Sequence, residues 1–110
     1  MESTYAYVAN LAGKIGEIPA DSIVSRTIHS SAAAKTILFG FAAGQELSEH
    51  TAAKAATLTF LQGEADLTLG SDSFSAQAGT WVEMPPHLPH SIRAKTPVLM
   101  LLTLHTAAEG

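Results

Sequence analysis

Turn residues recur through the middle of this 110-residue chain at intervals too short for helices. Gly40, Gly44, Gly63, Gly70 and Gly79, then Pro85-Pro86 and Pro89, divide it into pieces of strand length. Glycine relieves tight backbone and proline removes an amide donor, so both interrupt regular structure. The runs left between them are 23–29, 36–41, 57–61, 65–69, 80–84, 90–94 and 98–105. Many short strands with turn residues between them predict an all-β, mostly antiparallel sandwich or barrel.

Alternation supports that reading in places. In Thr57-Leu58-Thr59-Phe60 the apolar residues share one face and the threonines the other, as a half-buried strand requires. Asp66-Leu67-Thr68-Leu69 alternates again, between turn signals at Gly63-Glu64 and Gly70-Ser71-Asp72. Val98 to Leu102 is apolar on both faces, which calls for a covering layer outside the barrel, most simply a second subunit. The expected division is an N-terminal arm or short helix over 1–22, a barrel over 23–105 and a tail over 106–110. Gly13 and Gly16 argue against a long helix in the arm, and the stretch from Ser30 to Ala34 fits a loop between strands.

Composition removes several function classes. With no cysteine, disulfides, thiolate catalysis and zinc-thiolate centres are all excluded. The net charge of -4 comes with no run of Lys or Arg, so no nucleic-acid footprint is present. Glu2 stands where a signal peptide carries basic residues, and the apolar stretch from Pro97 to Leu104 is too short to cross a bilayer. A soluble cytoplasmic protein without membrane partners is expected. Phosphate-loop, dinucleotide and nucleophile-elbow patterns do not occur.

The histidines carry the more specific signal. Gly44 is followed after five residues by His50, and Gly63 closes the next strand. Gly79 is followed after five residues by Pro85, and His90 comes five positions later. This spacing resembles the two-part cupin signature, Gly-x5-His-x-His-x3-Glu-x6-Gly and Gly-x5-Pro-x-Gly-x2-His-x3-Asn, over about Ile23 to Leu104. The phrase from Leu61 to Ala65, together with Gly79 to Pro85, is similar to small prokaryotic cupins. The resemblance implies a cupin-type double-stranded β-helix, or jelly-roll, barrel.

Departures from the pattern bear on function. The second histidine of the first motif falls at Ala52 and the glutamate at Ala56. In the second motif His87 replaces the glycine and Ala94 the closing asparagine. In the family, three histidines and the glutamate bind one divalent metal inside the barrel. Here His50 and His90 keep a ligating side chain, with His87 on the proline-rich loop as a candidate third ligand. Catalytic zinc uses three protein ligands and non-haem iron two histidines with a carboxylate, so two imidazoles form an incomplete site. Gln45, Glu46 and Glu49 flank His50, but Glu49 is its chain neighbour and points to the opposite strand face. His29 and His105 are expected at the surface or at strand ends.

The exchange of an imidazole and a carboxylate for methyl groups opens a pocket, expected to be walled by Ala52, Ala56, Leu58, Phe60 and Ile92. Phe39, Phe41, Trp81, Met84 and Met100 are further candidates whose faces depend on strand register. Three functions stay open. One is a small-molecule binding module using His50 and His90. Another is a metal-dependent enzyme of dioxygenase, isomerase or lyase type, with zinc, iron, manganese or nickel on an unorthodox ligand set. The third is a non-catalytic scaffold or sensor, and a homodimer is expected from the family and from the two-sided apolar strand.

Overall fold

A computed structural model describes residues 5–106. Nine strands are present among them: β1 (Ile23–Ser30), β2 (Ala34–Phe41), β3 (Glu46–His50), β4 (Ala56–Gln62), β5 (Ala65–Leu69), β6 (Asp72–Ala76), β7 (Trp81–Met84), β8 (His90–Ala94) and β9 (Val98–His105). They form a five-stranded sheet in the order β1-β2-β9-β4-β7 and a four-stranded sheet in the order β3-β8-β5-β6, with every pairing antiparallel. The all-β, antiparallel architecture expected from the turn spacing is the one observed, in the two-sheet form of the jelly-roll that the resemblance implies.

The expected runs correspond to seven strands. The other two, β3 and β6, read Glu-Leu-Ser-Glu-His and Asp-Ser-Phe-Ser-Ala and are largely exposed. Both lie at sheet edges, where one face and one row of backbone groups meet solvent. A polar edge strand carries little apolar alternation, so the sequence pattern does not announce it.

Register explains which side chains form the core. Phe60, Leu58 and Ala56 on β4 stand opposite Met100, Leu102 and Leu104 on β9, while Thr57 and Thr59 face outward with Thr103 and Leu101. From the facing sheet come Leu67, Ile92, Ala65 and Ala94, all buried in the same apolar cluster. Side chains from two sheets thus interdigitate in one layer.

Among its described residues the N-terminal segment holds one short 3-10 helix, Ala12–Lys14. It covers part of the outer face of the five-stranded sheet. A Cβ built on Gly40 would come within 3.0 Å of the Ile18 side chain, and Leu38, on the same outer face of β2, is fully buried. The chain's own arm therefore supplies part of the covering layer that the two-sided apolar strand calls for. Ser31 closes the β1–β2 loop by accepting amide bonds from Ala33 and Ala34 on its Oγ. Of the tail expected over 106–110, only Thr106 falls among the described residues, and of the arm, residues 1–4 fall outside them. No helix among the described residues is long and apolar enough to cross a membrane.

Candidate functional site: a histidine pair on adjacent strands

His90 opens β8 and is 6% exposed, while Ile92 and Ala94, two and four residues on, are also buried. Strand alternation therefore points His90 into the interior. His50 ends β3 directly opposite His90 in the β3–β8 ladder, so both rings project to the same side. Their ring centroids lie 4.1 Å apart, with the planes inclined by 57°. His50 is exposed, and the pair therefore joins the interior to the surface.

A bulge makes this pairing possible. Leu47 stands opposite Ile92 and His50 opposite His90, so three steps on β3 match two on β8. A regular strand would have turned His50 to the face opposite Leu47; the irregularity between them restores the inward aim.

Both rings are fixed through the same nitrogen. Nδ1 of His50 lies 2.8 Å from the Ser48 carbonyl, and Nδ1 of His90 lies 2.9 Å from the Leu88 carbonyl. A carbonyl only accepts, so each Nδ1 carries the proton and donates it. In the neutral imidazoles Nε2 then holds a free lone pair. Burial pushes the His90 pKa below its ordinary value of 6.5; the bond to Leu88 opposes that shift and a charge on neighbouring His50 adds to it. His90 is thus a neutral acceptor at pH 7.

This shift has a consequence for stability. An imidazole whose pKa is lower folded than unfolded takes up its proton more readily in the unfolded chain. Its contribution is fully present above about pH 6.5 and is lost as pH falls below that value toward the folded pKa. His90→Gln is expected to flatten the loss of urea-unfolding stability between pH 7.5 and pH 5.5. Equal pH slopes for wild type and variant would refute the assignment.

The remaining candidates occupy different places. His87 sits on the 85–89 loop with a φ of 70°, the left-handed region that glycine fills most easily. The glycine of the cupin pattern falls at this position, and the backbone shape it would favour is retained without it. The His87 amide donates to the Ala52 carbonyl at 2.7 Å, tying the 85–89 loop to the 51–55 loop, while the residue itself is exposed. Ala52 is half-buried in that second loop rather than on a strand, whereas Ala56, Leu58, Phe60 and Ile92 are buried in the core. His105 is engaged elsewhere, with Nε2 at 2.8 Å from the Thr57 hydroxyl, and His29 is exposed. Of the further candidates, Phe41, Met84 and Met100 are buried and Phe39 packs against the core, but Trp81 is 61% exposed.

Among the described residues no group of three or more His, Cys, Asp or Glu side chains could hold a metal ion. Two imidazoles without a third protein donor do not fit a resident catalytic or structural metal centre. What the arrangement offers instead is a pair of adjacent acceptors set against an apolar interior.

Sequence reasoning missed Leu69 and Phe74. Leu69 stands opposite His90 across the β5–β8 ladder, and Phe74 opposite Leu67 across the β5–β6 ladder. The only available signal for Phe74 was a lone aromatic in a polar run.

No protein-family model matches the chain, and no curated protein sequence does. Solved structures do. A conserved protein of unknown function from Streptococcus pyogenes is 27% identical, with a TM-score of 0.82 over 96% of this chain and 91% of that one. An RmlC-like cupin protein from Desulfovibrio desulfuricans is 27% identical, with a TM-score of 0.78 over 94% of this chain and 100% of that one. A cupin superfamily protein from Desulfitobacterium hafniense shares the fold at 24% identity, with a TM-score of 0.80 over 91% of this chain and 94% of that one. Two antiparallel sheets, glycine and histidine spacing that follows the cupin pattern, and these neighbours give one conclusion: the chain is a small cupin-type domain.

Proposed function

We propose that this cupin binds a small organic molecule through the paired Nε2 atoms of His50 and His90, without a resident metal. The observation that carries this reading is the tethering of both Nδ1 atoms to backbone carbonyls. It commits each neutral ring to present an acceptor, and ring centroids 4.1 Å apart keep the two rings side by side. The ligand that suits two such acceptors carries two donor protons, as a primary amide, an ammonium group or a diol does. Burial on the His90 side strengthens the bond made there, while His50 stands at the surface.

The test is a thermal-shift screen of hydroxyl- and amide-bearing metabolites at pH 7.5, followed by long-range proton–nitrogen NMR of the histidine rings. Binding is expected to move the Nε2 resonances and to weaken roughly tenfold in His50→Ala, the loss of one hydrogen bond to a buried partner. Hits whose affinity the His50→Ala variant leaves unchanged would sink the proposal.

Elemental analysis supplies an independent check. Purified protein reconstituted with zinc, iron, manganese or nickel is expected to retain less than about a tenth of a metal per chain, since two imidazoles alone hold such ions weakly. Stoichiometric retention that depends on His50 and His90 would instead support the metal-dependent alternative.

A further inference from the structure

The two sheets leave a second opening. Strands β6 and β7 are both edges, one in each sheet, and a cavity of about 270 Å³ lies between them. Its walls are Leu67 and Leu69 on β5, Phe74 and Ser75 on β6, and Thr80, Trp81 and Val82 at the start of β7. Leu67 belongs to the buried core, and Leu69 and Val82 pack against it. The slot therefore leads inward rather than lying on a flat face. At its rim stand Phe74, 52% exposed, and Trp81, 61% exposed.

Leu69 links this slot to the histidines. It is a wall of the slot and also the direct partner of His90 across the β5–β8 ladder. Cross-strand partners hold their side chains on one face within contact distance. Side chains thus follow one another from His90 through Leu69 to the slot and its two rim aromatics. Exposed aromatics beside an inward-leading apolar cavity are unfavourable in water and are relieved by an occupant. The volume suits a chain of several methylenes or one small ring, too little for a protein segment with side chains.

The geometry points to an amphipathic ligand: a proton-donating head on His50 and His90, and an apolar tail lying past Leu69 in the β6–β7 slot against Phe74 and Trp81. This inference rests on the proposed role of the histidine pair and adds the chemical class of the ligand and a second set of binding residues.

Trp81 is the only tryptophan in the chain, so its emission reports directly on the slot. The probes are butanamide, hexanamide and octanamide, whose NH2 group supplies two donor protons, with methyl octanoate as a control of the same tail lacking them. Affinity is expected to rise roughly tenfold from hexanamide to octanamide, as burial of two methylenes requires, with a blue shift of Trp81 emission. The ester is expected to bind about tenfold more weakly than octanamide to wild type, and His50→Ala is expected to weaken octanamide while leaving the ester's affinity as it is. Phe74→Ser replaces an exposed residue, so the fold is retained; it is expected to flatten the chain-length dependence.

Chain-length dependence unaltered by Phe74→Ser, with no change in Trp81 emission, would overturn the slot. Binding that still needed His50 would then leave the reading of the histidine pair standing. Octanamide and ester of equal affinity, weakened by Phe74→Ser but not by His50→Ala, would show a slot working independently of the histidines and would overturn the link between them.

Discussion

Gly63→Ala is expected to destabilise the domain by about 3 kcal/mol or more, combining backbone strain with a backbone clash. Gly63 turns the chain between β4 and β5 with a φ of 88°. A side chain in that region costs about 1–2 kcal/mol by itself. A Cβ here would also land on the Pro97 carbonyl oxygen and lie 3.0 Å from the Val98 Cα. Those are backbone atoms of the segment that opens β9, the strand between β2 and β4 in the five-stranded sheet, and they cannot rotate away. Gly44 makes the control: its φ is 85°, but a Cβ there would meet nothing within 4 Å. Gly44→Ala should therefore cost only the conformational share, about 1–2 kcal/mol. Urea unfolding of the two variants measures the difference. Midpoints that shift equally would show that the contact with Pro97 does not constrain the fold.

Ala56→Glu is expected to cost several kcal/mol at pH 7, because it places an ionisable group where nothing can pair with it. Ala56 is 2% exposed and faces inward between Met84 on β7 and Leu104 on β9. By the cupin resemblance it also occupies the position of the metal-binding glutamate. The substitution adds a carboxylate to a two-histidine set, the ligand combination of non-haem iron sites. Divalent iron or manganese should therefore recover part of the lost stability, and only while His50 and His90 are present. Thermal unfolding with and without metal, in Ala56→Glu and in Ala56→Glu with His90→Gln, reads both effects. An unchanged melting temperature in the metal-free variant would contradict the inward placement of Ala56. Destabilisation without rescue would mean that the histidine pair does not surround the position a metal would take.

Both expectations turn on how closely the cupin framework is kept while its chemistry is altered. Gly44, Gly63 and Gly79 all hold positive φ, and His87 holds it where the pattern has glycine. The turn conformations of the two motifs are thus present, while Ala52 and Ala56 stand where, by the cupin resemblance, two of the four metal ligands would be. A barrel core is indifferent to that exchange, because Ala56 packs among Leu, Met and Phe without a buried charge to neutralise. Shape and ligand set are therefore separable, and the acceptor pair is what the exchange leaves behind.

Much of the fold was legible in the chain itself. Turn residues set strand ends for β5, β8 and β9 at the positions found, and alternation in β4 sorted Leu58 and Phe60 from the neighbouring threonines. Local backbone preference and period-two burial act within a few residues, so sequence alone carries them. The spacing of Gly44, His50, Gly79 and His90 likewise singled out the two rings that the structure brings together.

What only tertiary structure decided concerns edges and register. Strands β3 and β6 bury little, so their identity comes from their partners rather than from their own pattern. The bulge between Leu47 and His50 is set by pairing with β8, and without it His50 would face away from His90. Leu69 lies 21 positions from His90 in the chain yet directly opposite it, and Phe74 and Trp81 line one slot that exists only between two edges. The placement of Ile18 over Gly40 is of the same kind. Such contacts depend on which distant strands hydrogen-bond and in what register. The sequence determined the strands, the turns and the two histidines; the assembled sheets decided that those histidines share a face, and what lies beside them.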